Sequence, residues 1–311
     1  MKPLRFALAP LCVLLWVYFA GAQDESRAVL RRKLAAEIEK IAGSHDGVMG
    51  VAIKDLTTGE EILINDQLIF PTGSSIKIPI LIELHKQAAE GKYKLTDQRW
   101  VERQDKVGGS GVIVNFGDHT SQLSLSDLAT LMIVLSDNTA TNMVLERITT
   151  DAVNAYLDKI GIRTTRVLRK IRGDGNQLKS ASGWSAAGKL AENQKYGLGL
   201  STPRDMVAIL EKLERGEIVS PDASREMIAI LKRCQDKSGI RRRFGEIPVA
   251  NKTGTLDALR SDVGIVYSKG GRIAMAITVD GMSKIDYAPD NAGSLLIADL
   301  AKILVDGLAQ R

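Results

Sequence analysis

Hydrophobic and polar positions along the chain alternate between two periods. Residues 26–41 place Val29-Leu30, Leu34, Ile38 and Ile41 at helical spacing. Gly47 to Ile64 has the pattern of a strand hairpin. Its first run is Val48-Met49-Gly50-Val51-Ala52-Ile53, its turn is Asp55-Leu56-Thr57-Thr58-Gly59, and Ile62-Leu63-Ile64 returns. Helical spacing resumes from Ser74 to Glu90, with Gly91 as a C-cap, and from Leu123 to Ile148. Ser124-Leu125-Ser126-Asp127 resembles a capping box. Thr202-Pro203 starts a further helix that runs through Leu213 to Gly216. Strands are expected over Pro248–Thr255, Val263–Tyr267 and Arg272–Val279, then an amphipathic helix from Ala292 to Leu308. This order predicts one sheet built from both ends of the chain, with the helical middle packed beside it as a second lobe.

Composition permits this and little else. The 311 residues are 44% hydrophobic and 25% charged, ordinary for a globular chain and long enough for a large core. Aromatics make up only 5%, so aliphatic side chains must fill that core. The first 22 residues read as a secretory signal peptide. Lys2 and Arg5 precede an apolar run from Phe6 to Ala20, and Ala20-Gly21-Ala22 is a small-residue cleavage pattern. That run is shorter than the roughly 20 residues needed to span a bilayer, so cleavage and export are expected, with no membrane span afterwards. Net charge is +5; without Lys2 and Arg5 it is +3, which gives no reason to expect a nucleic-acid partner. Cys12 lies inside the leader, so Cys234 stands alone in the rest of the chain. Its surroundings, Leu231-Lys232-Arg233 and Gln235, read as the end of a helix with no histidine near, which favours packing over chemistry.

The chemistry is concentrated in three short motifs. Ser74-Ser75-Ile76-Lys77 spaces a hydroxyl and an amine three residues apart at the start of a helix. Both then lie on one face, where a crowded, desolvated lysine can accept the serine proton. Free backbone N–H groups at a helix start point at the same place. Ser136-Asp137-Asn138 interrupts an apolar helical stripe; its serine can pass a proton, and its asparagine offers amide donors. Lys252-Thr253-Gly254 sits in a strand, where an amine and a hydroxyl can bind a carboxylate and a glycine admits close backbone approach. Each motif alone has an ordinary structural explanation: an N-cap, a turn, an edge strand. Only His45, His85 and His119 are available for a Ser-His arrangement, none in a suitable context, and no metal-ligand or cofactor motif is visible.

Taken together, the three motifs form the S-x-x-K, S-D-N and K-T-G set. From about Ser26 to Leu308 the chain resembles a class A β-lactamase-type serine hydrolase of the penicillin-recognising superfamily. Leu128 to Asn142 and Ser201-Thr202-Pro203-Arg204-Asp205-Met206 carry the likeness further. The resemblance implies an α/β plus all-α, two-lobed fold: an antiparallel sheet flanked by N- and C-terminal helices, beside a helical lobe. The α/β lobe would comprise 23–70 and 217–311 and the helical lobe 71–216, with residues 1–22 as the leader. It implies Ser74 as the acylated nucleophile, Lys77 as base or relay and Ser136 as proton shuttle. Asn138 would hold a substrate amide, and Lys252 and Thr253 its carboxylate. The backbone N–H groups of Ser74 and of Thr255, next after Gly254, would form the oxyanion hole. A monomer acting on a small β-lactam or a peptidoglycan stem peptide, without cofactor or metal, is expected.

One departure changes the expectation. The family usually carries a glutamate in the loop after the S-D-N helix, and that glutamate activates the deacylating water. Here the loop reads Thr165-Arg166-Val167-Leu168-Arg169-Lys170-Ile171-Arg172-Gly173. Arg169 fits the family arginine, and Ile171 falls where the glutamate belongs. Asp174 and Glu192 are the candidate substitute bases, neither at the family spacing. The expected activity is therefore an exported serine acyl-transfer hydrolase, slow to deacylate. A D-alanyl-D-alanine peptidase on the same fold and a binder that is acylated once are the alternatives. Arg260, six residues past Gly254, is the candidate carboxylate arginine. Arg241-Arg242-Arg243 competes for that role and otherwise reads as a solvated charge run.

Overall fold

A computed structural model of the chain describes residues 9–172 and 183–309, and over 9–24 the backbone alone. Its helices are α1 (Ala9–Ser44), α2 (Lys77–Ala89), α3 (Leu125–Val134), α4 (Asn138–Ile148), α5 (Thr150–Lys159), α6 (Pro203–Glu214), α7 (Pro221–Lys232) and α8 (Ala292–Leu308). The strands are β1 (Val48–Asp55), β2 (Glu61–Ile64), β3 (Phe70–Pro71), β4 (Gln98–Trp100), β5 (Gln122–Ser124), β6 (Arg166–Val167), β7 (Gly199–Ser201), β8 (Val249–Leu256), β9 (Leu259–Ser268) and β10 (Gly271–Asp280).

The main sheet is antiparallel with strand order β2-β1-β10-β9-β8, so both ends of the chain supply it. Its strands are buried on both faces, and the side chains alternate in size accordingly. Val51, Ile53, Val249, Ile273, Met275 and Ile277 join the core under α1 and α8. The opposite face presents Ala52, Ala250, Ala274 and Ala276 to the helical core. Small side chains there let α6 and α7 approach the sheet closely. Gly50 shows the same need: a Cβ on it would stand 2.5 Å from the Phe70 ring.

Several expected elements shift for local reasons. The first helix is not confined to 26–41 but runs from Ala9. Among the described residues, no helix is long and apolar enough to cross a membrane. The stretch Leu123–Ile148 is two helices rather than one. The capping box at Ser124 holds, with Ser124 Oγ accepting from the Asp127 N–H at 3.0 Å. The helix then breaks at Ser136, which has φ 54°, and restarts where Asp137 caps α4 through the Ala140 N–H at 2.8 Å. Helices α5 and α7 lie where the sequence reading placed no complete element. Ser74 belongs to a 3₁₀ turn, Gly73–Ile76, and the α-helix proper begins at Lys77. Pro79 thereby falls in the first turn of α2, where N–H groups lack an intrahelical acceptor, so its missing donor costs little.

The run Arg241-Arg242-Arg243 is only partly solvated: Arg243 is exposed, yet all three side chains have defined partners. Arg241 donates to the Lys232 carbonyl at 2.9 Å and also to the Val249 carbonyl. Arg242 pairs with Asp290, and Arg243 pairs with Asp299 on α8 at 2.7 Å. These arginines fasten the α7–β8 connection to the sheet and to α8. Cys234 is a buried thiol that burial pushes up, consistent with packing.

Candidate active site

A 3₁₀ turn carries Ser74 into Lys77. Side chains three apart eclipse in a 3₁₀ turn, and the Lys77 N–H bonds the Ser74 and Ser75 carbonyls. The turn sits hard against β8. A Cβ on Gly73, at φ 50°, would lie 2.8 Å from the Thr255 nitrogen. One on Gly254 would lie 2.1 Å from the Thr72 carbonyl oxygen. Both positions require glycine, and their contact sets the Ser74 turn directly beside Thr255. The turn that carries Ser74 and the Thr255 backbone are thus neighbours, the arrangement that an oxyanion hole built from their N–H groups would require.

Lys77 is fully buried and holds the centre of the site. Its Nζ donates to the Ser136 carbonyl at 2.7 Å, to Ser136 Oγ at 3.1 Å and to Asn138 Oδ1 at 3.0 Å. The positive φ of Ser136 turns both its carbonyl and its hydroxyl toward the amine. Among the described residues, no group hydrogen-bonds the Ser74 hydroxyl, which remains half-buried. Burial, and then the charge of Lys252, hold the Lys77 amine well below the usual lysine range, against a smaller pull from Asp137. A lysine that gives up its proton this readily can take one from Ser74. Once neutral, it has only two protons for its three acceptors, and the Ser136 hydroxyl can reverse and donate to it. Lys77 and Ser136 are then joined by a hydrogen bond along which a proton can pass.

The rest of the cleft is braced by residues the sequence reading did not single out. Asp137 Oδ2 accepts from Val112 N at 2.7 Å and Ile113 N at 3.0 Å. Asn138 Nδ2 donates to the Gly108 carbonyl at 3.0 Å. The loop 107–113 is thus a wall of the site. Asn142, one turn after Asn138, accepts from the Ile171 N–H at 2.8 Å and donates to the Ile171 carbonyl at 3.0 Å. Its signal was its presence on the S-D-N helix at the spacing of one turn.

Lys252 is fully buried and donates to the Thr253 carbonyl at 2.9 Å. Burial lowers its affinity for a proton, against the charges of its acidic neighbours. Thr253 Oγ1 donates to Asp236 Oδ2 at 2.7 Å. Arg260 pairs in register with Thr255. Its guanidinium, however, is anchored on the Leu256 carbonyl at 2.7 Å, the Leu259 carbonyl at 2.5 Å and the Asp286 carbonyl. Arg169 and Arg172 stack on Trp184, at 5.5 and 5.0 Å from its ring centre. Glu192 is exposed on a 3₁₀ stretch, Ala191–Tyr196, and no contact brings it to Lys77 or Ile171. Asp174 lies outside the described residues.

Comparison with known proteins identifies the family and the fold. A model of the β-lactamase enzyme family matches residues 33–308. A β-lactamase from Sphaerobacter thermophilus superposes with a TM-score of 0.76 at 26% identity, covering 89% of this chain and 97% of that one. PBP-A also superposes at 0.76, with 23% identity over 90% of this chain and 97% of its own. The β-lactamase regulatory protein BlaB of Streptomyces cacaoi is 25% identical, over 83% of this chain and 92% of its own length. The fold is that of the class A β-lactamases, and the chain belongs to the β-lactamase enzyme family.

Proposed function

We propose that this member of the β-lactamase enzyme family is a serine acyl-transfer hydrolase whose Ser74 is acylated by β-lactams and which is slow to deacylate. The observation that carries the reading is the buried Lys77, at the end of the 3₁₀ turn that holds Ser74 and hydrogen-bonded to Ser136 and Asn138. In the first step the Ser74 oxygen attacks the lactam carbonyl while its proton passes to Lys77. The tetrahedral oxyanion is received by the Ser74 and Thr255 N–H groups. The C–N bond then breaks, and Ser136 delivers a proton to the leaving nitrogen, replenished from Lys77. The hydrogen bonds of Lys77 to Ser136 and Asn138 support these steps.

For the second half-reaction, the described residues place no base at position 171, where the family carries one. Water must be deprotonated beside the acyl ester, and Ile171, clamped by Asn142, offers no base. This supports a persistent acyl-enzyme. It also favours a second reading, a receptor acylated once that signals rather than turns over, in keeping with the regulatory name of the Streptomyces relative. A D-alanyl-D-alanine peptidase would use the same acylation machinery. The leader-like residues 1–22 support export, which places the site where such substrates occur.

Following hydrolysis of a chromogenic cephalosporin and of a D-Ala-D-Ala peptide side by side, with Ser74→Ala as control, tests the proposal. Covalent attachment with slow or absent cephalosporin turnover, lost in Ser74→Ala, is expected. Attachment that survives Ser74→Ala contradicts it.

A further inference from the structure

A cleft lined by α6, its loop to α7, α7 itself, Tyr267 of β9 and Arg272 of β10 shares no residue with the acylation site. Its volume is about 580 Å³, within the range of small-molecule sites. Tyr267 lies four residues along β9 from Val263, the register partner of Lys252. The cleft is therefore roughly 13 Å along the strand from the motif lysine.

The lining combines apolar surface with an excess of cations. Leu213 and Ile228 belong to the helical core and reach the cleft. Arg215, Arg225, Lys232 and Arg272 face one carboxylate, Glu214. Both oxygens of Glu214 are already engaged: one accepts from the Tyr267 hydroxyl at 2.6 Å and the other pairs with Arg272 at 2.9 Å. Arg215 pairs with Glu211 at 2.6 Å. Arg225 pairs with Asp222 where both side chains are open to water, so an incoming anion can exchange with that contact at little cost.

Lys232 has no carboxylate partner among the described residues. Its ammonium stands 3.8 Å from the centre of the Tyr267 ring. A ring face attracts a cation without neutralising it. Tyr267 is fixed in turn by Glu214, and Glu214 by Arg272, so one chain of contacts runs from α7 through β9 and α6 to β10. The ammonium is thus held at the cleft with its charge and its donors free, the preorganised state that lowers the cost of binding an anion. An inorganic anion would leave the apolar lining wet, and a purely apolar ligand would leave the cations unanswered. An apolar body that carries a phosphate uses both, and the guanidinium fork of Arg225 matches phosphate geometry.

We propose that this cleft binds a small organic phosphate, a monoester with an apolar body, whose phosphate meets Arg225 and Lys232 and whose body covers Leu213 and Ile228. The proposal is independent of the acyl-transfer reading.

The test is calorimetric titration of the full chain at about 0.15 M salt, where long-range attraction between exposed charges is screened. The probes are naphthyl phosphate, naphthol and inorganic phosphate. The ester should saturate one site and bind about tenfold or more tighter than either part alone. Arg225→Gln combined with Lys232→Gln should weaken the ester about tenfold, the loss expected for two partly exposed charged contacts, and leave naphthol unchanged. Arg32→Gln combined with Lys33→Gln removes two charges from α1 and should leave ester binding within about twofold. All four side chains are exposed, so neither pair of changes disturbs the core. Ester binding that does not saturate overturns the proposal. Equal weakening by the two pairs overturns it as well, because the attraction is then one of general charge. Loss of ester binding in Lys252→Ala with none in the cleft pair places the probe at the acylation site and also overturns it.

Discussion

Asn142 and Ile171 are fastened by two hydrogen bonds, 2.8 Å from the Ile171 N–H to Asn142 Oδ1 and 3.0 Å from Asn142 Nδ2 to the Ile171 carbonyl. Asn142 stands one helical turn after Asn138, which bonds Lys77. A single face of α4 therefore holds Lys77 at one turn and the isoleucine loop at the next. The residue at 171 is placed by its backbone, so its side chain can be changed without changing its location.

Ile171→Glu should accordingly supply the missing base. General base catalysis contributes typically 10²–10⁴-fold, and deacylation of a penicilloyl adduct should accelerate by about that factor while acylation changes little. Single-turnover mass spectrometry separates the two steps. Unchanged adduct lifetime in a folded variant would show that position 171 does not face the ester.

Lys77→Ala should abolish acylation, by about 10²-fold or more, and leave the circular dichroism unchanged. Lys77→Arg should be equally inactive, since a guanidinium cannot surrender its proton. Rapid acylation by the arginine variant would assign the base role elsewhere.

Lys252 acts on the site in two ways. Removing it as Lys252→Ala should slow acylation by an order of magnitude or more, as expected when a charged contact worth roughly 1.5–3 kcal/mol is lost. Its charge also helps to depress Lys77. In the variant the Lys77 amine should hold its proton more tightly, and the rising limb of the acylation pH profile should move to higher pH. A slower rate with an unmoved profile would show that Lys252 acts on substrate alone.

Two buried groups should oppose each other in acid. Burial pushes His85 down to about 4. Between that value and an unfolded value of 6.5 the unfolded chain binds the extra proton, so stability falls as pH drops through this window, by about 3 kcal/mol. Burial pushes Asp262 up to about 6 from 3.8. There the folded chain binds the extra proton, so stability rises as pH falls from 6 to 4, by a similar amount of about 3 kcal/mol. Relative to wild type, His85→Gln should become more stable on acidification, and Asp262→Asn less stable. Urea unfolding at pH 4 and pH 7 reads both signs.

The sequence disclosed what repeats locally and hid what depends on distant partners. The hairpin at 47–64 and the helix at 292–308 were visible because their periodicity is undisturbed. The split at Ser136 was not, because apolar spacing continues on both sides and only a positive φ in one serine breaks it. The three motifs located Ser74, Lys77, Ser136, Asn138 and Lys252, and the structure gathers them around one buried amine. Asp236 carried no signal, since its contact depends on a loop reaching the Thr253 hydroxyl. Arg241 looked solvated because carbonyl acceptors leave no trace in sequence. The same holds for Arg260, whose donors meet three backbone oxygens.

The central claim is that Ser74 forms an acyl-enzyme that the protein cannot readily release. Mixing the full chain with penicillin and following intact mass, with peptide mapping of the adduct, tests it directly. The account predicts a penicilloyl group on Ser74 that outlasts the acylation phase by at least 10²-fold, the minimum deficit from a missing general base. A label on another residue, or free protein restored within seconds, contradicts it.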